Sequence, residues 1–337
     1  MALLFCDSFD HYTTNAQLAT KWGNGNFNIN SAWGRNGTAG IGTGEDRSSR
    51  WTKSGTGVDT IIVGFANNFI SGTPNTRLNL YEDATLHIYL YPNAGSLKWQ
   101  VYRGDGTLLG TSSPSFAFGI YDYIELKVKI HDTTGTVDLR VNNVSVLSLT
   151  GQDTRNGGTS GLINAVLISS IDYGSVSRLD DFYVCDTSGS RNNDFLGDVR
   201  IQAIFPSATG NSSQWTANGA ATNRECVDEI TPNDDTDYIS SSTATQKDTY
   251  VFGDVTPTSG TVKAVQHVLY ARKDDAGTRT IRPVIRHSTT DYTVGAGTNI
   301  SITYAMIKDI SETNPGTSTD WTISDVNNAE FGVELVA

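Results

Sequence analysis

The chain has 337 residues, with 24 Lys and Arg against 36 Asp and Glu, for a formal net charge of −12. The charge divides as −4 up to residue 190 and −8 beyond it, with no basic stripe in either part, so binding to nucleic acid through phosphates is not expected and the acidity serves solubility. No apolar run approaches the roughly 18 residues of a membrane-spanning helix, and the opening MALLFCDSFD has no basic n-region and meets acids at once. It reads as the start of a strand rather than a signal peptide, and the chain is expected to be made and first folded in a cytoplasm.

Gly, Thr, Ser and Asn are abundant and helix-forming runs are nearly absent, which predicts short strands and many turns. Phe5–Tyr12 opens the chain as a strand, and a Gly/Asn-rich excursion follows that carries Trp22, Trp33 and Trp51. Ile61–Phe69, Leu78–Tyr81 and Thr85–Tyr91 read as strands. Leu97–Tyr102 and Thr107–Thr111 flank Gly104-Asp105-Gly106, a tight-hairpin signal. In Tyr123–Ile130 polar and apolar residues alternate strictly, the period of two that marks a half-buried strand. Thr133-Thr134-Gly135 turns into Val137–Val141, and Asn142-Asn143 into Val144–Leu149, so a meander is predicted. Ile163–Ile168 and Leu179–Cys185 close a first domain, 1–190, whose roughly ten strands suit a two-sheet jelly roll.

Asp186–Asp198 is polar and turn-rich. It supplies the expected boundary, with 191–198 as linker, although Phe195 and Leu196 predict that it packs down. Val199–Phe205 begins a second block on an alternating pattern. Strands are predicted at Tyr250–Phe252, Val262–Ala271, Arg279–Arg286, Tyr292–Val294, Ile300–Lys308 and Ala329–Val336, with one short helix around Ser324–Asn328. The chain is therefore read as all-β, with a second, smaller antiparallel β-sandwich over 199–337.

The meander Tyr123–Gly151 with Gln152-Asp153-Thr154, LDDFYVCDTSG at Leu179–Gly189 and NNDFLGDVRIQAIFP at Asn192–Pro206 are distinctive as a set. So are STATQKDTYVF at Ser242–Phe252, ARKDDAGTRTIRPVIR at Ala271–Arg286 and WTISDVNNAEFGVELV at Trp321–Val336. Through these stretches the chain resembles two-domain virion proteins encoded in the structural-gene clusters of tailed bacteriophages and prophages. The first half is similar to concanavalin A-like, laminin-G-type sandwiches. The resemblance implies a place in a virion assembled in the host cytoplasm, with other copies of the chain and other phage structural proteins as partners. It implies no chemistry.

Candidate sites follow from residue type and spacing. Retaining glycosidases of this fold need two carboxylates about 5–5.5 Å apart, which a Glu-x-Asp-x-x-Glu strand would supply. No such pattern occurs, and the adjacent pairs Glu45-Asp46 and Glu82-Asp83 would point to opposite faces of a strand. There is no Gly-x-Ser-x-Gly elbow, and His11, His87, His131, His267 and His287 show no metal-binding spacing, though His267 and His287 could share neighbouring strands. No cofactor is expected. Calcium is the one open question: Asp180 and Asp181 could join Asp7 and Asp10 if the end strands pair, and Asp234, Asp235 and Asp237 form a second acidic knot. Ordinary turn aspartates are the competing account. That pairing would also make neighbours of Cys6 and Cys185, as a disulfide or as two buried thiols. Arg103-Gly104-Asp105 is explained by the needs of its turn. The sequons at Asn36, Asn143, Asn211 and Asn299 are expected by chance in so Asn/Thr-rich a chain. Trp22, Trp33 and Trp51 could stack on sugar rings or plug the ends of the sandwich.

The expectation is thus a non-enzymatic virion structural protein, a capsid-surface decoration or a tail, neck or fibre component. It would form symmetric homo-oligomers that cover its sheet edges, with the second half, ending at Phe331–Val336, as the anchor. The alternative is a module that binds glycan or a host receptor. A polysaccharide hydrolase stands third.

Overall fold

A computed structural model describes residues 2–43, 47–71, 73–74, 76–113, 115–170 and 176–337. The chain divides into two compact units, Met1–Ile201 and Gln202–Ala337. It is all-β, with two short helices, Asn15–Trp22 and Ile323–Asn328, among the described residues.

In the first unit two antiparallel sheets lie face to face. The larger runs in the order Val144–Gln152, Gly135–Val141, Asp122–Lys129, Thr60–Ser71, Val176–Asp186, Gly40–Thr43, Asn28–Asn30, and Leu3–Asp7 also pairs with Val176–Asp186. The smaller runs Ser48–Thr52, Ala165–Ser170, Thr76–Glu82, Thr85–Asn93, Lys98–Arg103, Leu108–Thr111. Alternation builds the core between them. Leu78, Leu80, Ile88, Leu90, Trp99 and Val101 of the smaller sheet are at most 2% exposed and face Ile61, Val63, Phe65, Leu126 and Val128 of the larger. Aromatic contacts join the sheets directly, with Phe5 5.9 Å from Trp51 and Phe69 5.6 Å from Trp99.

Thr60–Ser71 is buried along nearly its whole length, as its continuous apolar run requires of a strand covered on both faces. Its second cover is the segment read above as a linker. Residues 191–198 belong to the first unit and lie strapped over the outer side of the larger sheet. Asp194 pairs with Lys127 at 3.0 Å, Arg140 sits 4.1 Å from the Phe195 ring, and the Gly197 amide donates to Glu125 at 2.8 Å. Arg35 pairs with Asp198 at 2.5 Å and donates to the Val199 carbonyl at 2.7 Å. Val199–Phe205 is irregular rather than a strand: at its start the Val199 carbonyl is taken by Arg35 and the Ile201 amide donates to Asp181 at 2.6 Å. Gly64 lets Tyr183 lie flat under this strap, since a Cβ there would stand 2.1 Å from the Tyr183 ring.

The predicted excursion through Trp22 contains a helix, Asn15–Trp22, opened by a capping box between Thr14 and Gln17. The helix carries Lys21 into the core, where its ammonium lies 3.3 Å from Asp7 with both side chains at most 2% exposed. Asp7 also accepts from Tyr12 Oη and Trp22 Nε1, each at 2.7 Å, and from the Phe9 amide at 3.0 Å. Burial works to raise its pKa, but Lys21 and these donors outweigh it and hold the carboxyl below its ordinary value.

In the second unit a six-stranded sheet orders Pro206–Ser213, Lys247–Phe252, Glu330–Leu335, Thr280–His287 and Thr290–Thr293, with Thr298–Asn299 on Thr280–His287. The ribbon Val265–Ala271 with Ala305–Ser311 supplies Leu269 and Ile307 against Ile281, Val333 and Leu335, while Trp321 and Val326 pack with Phe331 and Ile285. Glu330–Leu335 is a central, buried strand of this sheet. One expectation is corrected here. His267 and His287 lie on different sheets: His267 stands edge-on to Phe331, and His287 lies 3.6 Å from Asp325.

Replacing Lys21 by Met leaves Asp7 charged and buried without its counter-ion. The expected cost is about 3–5 kcal/mol, read as a fall in the denaturant midpoint of the first unit. The double variant with Asp7→Asn should lose less than the sum of the two single changes.

Candidate functional site

The inner face of the smaller sheet is filled by apolar side chains, so the period of two sends the alternate residues outward. Cross-strand register sets them in rows. Arg50 is opposite Leu167, Leu167 opposite Asn79, Asn79 opposite Tyr89, and Tyr89 opposite Tyr102. One step along, Ser169 is opposite Arg77, and Tyr91 opposite Gln100. Tyr81, Tyr89, Tyr91, Tyr102, Arg50, Arg77 and Gln100 are all partly open to solvent.

The aromatic part is ordered by its own contacts. Tyr89 and Tyr102 stack with centroids 4.9 Å apart and planes 8° from parallel. The Arg77 guanidinium carbon lies 3.6 Å from the Tyr89 centroid on this same face, and that of Arg50 lies 5.0 Å from Tyr81. Tyr102 Oη donates to Gln100 Oε1 at 2.7 Å. Its pKa is raised by burial and then by the neighbouring Tyr89 and Tyr91. Asn79 Nδ2 donates to Ser169 Oγ at 3.1 Å and to the Leu167 carbonyl at 3.3 Å. The result is a tyrosine platform of stacked and neighbouring rings, flanked by two guanidinium groups and the Gln100 amide, with Asn79 buried beneath it.

The residues singled out from sequence fall elsewhere. Trp22 and Trp51 are 1% and 5% exposed, closed in by Phe5, Phe9 and Phe182, so neither can meet a sugar. Trp33 is half-buried on the larger sheet, over Gly42, with the Arg178 guanidinium carbon 5.5 Å from its ring. The first and last strands do pair, with Cys6 opposite Tyr183 and Leu3 opposite Cys185. Cys6, Cys185 and Cys226 are thiols outside any disulfide, and burial pushes Cys6 up to about 11.

Of the four candidate calcium ligands, Asp7 is buried with Lys21, while Asp10 accepts from the Ala39 amide at 3.1 Å and its charge adds to burial in raising the pKa of Asp180 and Asp181. A bulge at Asp181, where φ is 51°, turns Asp180 and Asp181 toward one arginine. Arg35 Nε pairs with Asp181 at 2.8 Å, and the Arg35 amide donates to Asp180 at 2.7 Å. Asp234 accepts from Tyr270 Oη, Asp235 from Tyr304 Oη and Arg272, and Asp237 from Asn233. Among the described residues no group of three or more His, Cys, Asp or Glu side chains is placed to hold a metal ion.

Glu82 is not a free catalytic carboxylate. It accepts from the amides and hydroxyls of Thr159 and Ser160, from the Gly161 amide, and from His87 Nε2 at 3.0 Å. Burial opposes ionisation, but the Ser160, Thr159 and Gly161 donors hold its pKa far below the usual carboxylate range. His87 Nδ1 accepts from the Asn156 amide at 3.1 Å, which leaves Nε2–H to face Glu82. Glu45 and Asp46 lie outside the described residues.

No family model and no curated protein matches the chain. Solved structures similar to part of it include the catalytic domain of a glycoside hydrolase family 131 protein from Coprinopsis cinerea, at TM-score 0.39 and 12% identity over 59% of this chain and 99% of that one. The carbohydrate-binding module CBM66 from Bacillus subtilis matches at TM-score 0.33 and 8% identity, over 48% and 92% of the two chains. A Bacillus subtilis protein of unknown function with a galectin-like fold matches at TM-score 0.37 and 12% identity, over 55% and 96%.

Burial, and after it Asp181, raises Asp180 above its ordinary value, to about 8. The folded state thus keeps a proton that the unfolded chain gives up. This stabilising contribution is complete below the ordinary carboxylate pKa of about 3.9 and is lost as pH rises through about 8. Asp180→Asn removes the dependence, so the variant's melting temperature should gain on the parent's between pH 5 and pH 8.5.

Proposed function

We propose that the first unit is a non-catalytic glycan-binding module, carried by a protein of a tailed-phage particle. The tyrosine platform of the smaller sheet carries the reading. Pyranose rings have apolar C–H faces that pack on aromatic rings, and their rim hydroxyls take hydrogen bonds from amides and guanidinium groups. Tyr91 and Tyr102 offer the first, with Tyr89 stacked behind Tyr102; Gln100, Arg50 and Arg77 offer the second. Support for a binding rather than a hydrolytic role is chemical. The strands of this sheet contain one acid, Glu82, and its oxygens are occupied by the 159–161 loop and His87.

The virion setting is supported by the sequence stretches quoted above. In it the chain is a surface decoration or appendage component, repeated in symmetric copies, and the platform presents to host or environmental polysaccharide.

A glycan array probed with the full chain should give saccharide binding. Tyr89→Ala and Tyr102→Ala, each with unchanged melting temperature, should weaken it about five- to tenfold. An array without signal would remove the glycan reading. Peptide mass spectrometry of purified particles should detect the chain, and its absence there would remove the virion setting.

A further inference from the structure

We infer that the ligand of the tyrosine platform is an acidic polysaccharide, one bearing carboxylates at intervals along the chain; this rests on the glycan reading above. The argument is the distribution of charge. Across Ser48–Thr52, Thr76–Glu82, Thr85–Asn93, Lys98–Arg103, Leu108–Thr111 and Ala165–Ser170 the acid is Glu82, turned inward with its oxygens taken by the 159–161 loop and His87. The same strands carry Arg50, Arg77, Lys98 and Arg103. A protein with net charge −12 thus keeps acids off one whole face and leaves cations on it.

Those cations are also unneutralised where the platform lies. Arg35, Arg272, Arg282 and Arg286 each hold a carboxylate within 3.0 Å, and Arg103 is taken by Asp105 and Asp153. Among the described residues neither Arg77 nor Arg50 has one. Arg77 lies flat on Tyr89, and its buried Nε has no hydrogen-bond partner. Arg50 donates to the Asp83 carbonyl, while the Asp83 carboxylate accepts from Asn164 instead. Each guanidinium lies over a tyrosine ring, Arg77 3.6 Å from the Tyr89 centroid and Arg50 5.0 Å from that of Tyr81, and a guanidinium is the group that can grip a carboxylate with two parallel bonds.

Spacing favours a polymer. Arg50 and Arg77 are two strands apart and one outward step out of row, which is about 12 Å between Cα atoms at ordinary strand spacing and rise. That suits carboxylates on separate sugar units, with the tyrosines beside them. Single-stranded nucleic acid also combines stacking with negative charge, but it carries a phosphate at every nucleotide and needs a long basic track. Two guanidinium groups and a lysine on a protein of net charge −12 do not make one.

The test uses the full chain in calorimetric titrations against polygalacturonate, a neutral glucan of matched length, and oligodeoxythymidylate. Polygalacturonate should bind at least tenfold tighter than the glucan and weaken as salt rises. Arg50→Gln and Arg77→Gln should each cost about tenfold on the uronate and a clearly smaller factor on the glucan, which loses only a hydroxyl hydrogen bond, with melting temperatures unchanged. Because Arg77 is partly packed, Arg77→Lys is the second variant, and it should recover part of the uronate affinity by restoring charge. Equal affinity for uronate and glucan, lost in Tyr89→Ala but not in the arginine variants, would overturn the acidic preference and leave the glycan reading standing. Tighter binding of the oligonucleotide, lost in the arginine variants, would replace the polysaccharide with nucleic acid. No binding to any of the three would overturn this inference, while the glycan array decides the broader reading.

Discussion

The period of two in the smaller sheet of the first unit is the constraint on which the rest depends. Leu78, Leu80, Ile88, Leu90, Trp99 and Val101 fill the space between the sheets at close to zero exposure. Their burial leaves Arg77, Asn79, Tyr81, Tyr89, Tyr91, Gln100 and Tyr102 no place but the outer face. A slip of one residue in any of these strands would expose the apolar set and bury guanidinium groups, at a cost the unit could not carry. The register that seals the core is the same register that sets Tyr89 against Tyr102 and draws Arg50, Asn79 and Tyr89 into one row. Core and candidate site are two sides of one packing solution.

Carboxylates do structural work in this protein. Asp7 ties the helix Asn15–Trp22 to the first strand, and Glu82 gathers the 159–161 loop. Glu125 accepts from Tyr183 and Gly197 and fixes the strap. In the second unit Asp248 accepts from the amides of Gln214 and Trp215, from Asn223 and from Tyr250. A buried carboxylate survives when its lone pairs meet N–H or O–H donors, and each of these holds together segments that a short turn could not. The acids that stand out in the sequence are accordingly anchors for loops.

Charge is thereby divided within the first unit. Acids collect at bulges, loop anchors and the strap, where arginines such as Arg35 meet them. The smaller sheet carries Arg50 and Arg77 over the rings of Tyr81 and Tyr89.

Much of this was legible in the residues themselves. The meander at Tyr123–Ile130, Val137–Val141 and Val144–Leu149, the hairpin around Gly104-Asp105-Gly106 and the neighbouring first and last strands all stand as expected, because local alternation and turn chemistry decide them. The helix Asn15–Trp22 was missed although Thr14 and Gln17 spelled its capping box; the surrounding Gly and Asn hid it. Val199–Phe205 alternated like a strand but found its partners in side chains. Trp22, Trp33 and Trp51 looked alike, and only the tertiary structure separated two buried rings from one half-buried. By itself the sequence determined that this chain is β and roughly where its strands lie. Tertiary structure decided which aromatics stay open, which acids are spent on loops, and that tyrosines from different strands meet beside arginines that hold no carboxylate among the described residues. Those facts depend on cross-strand register, and register is settled by burial between segments distant in the chain.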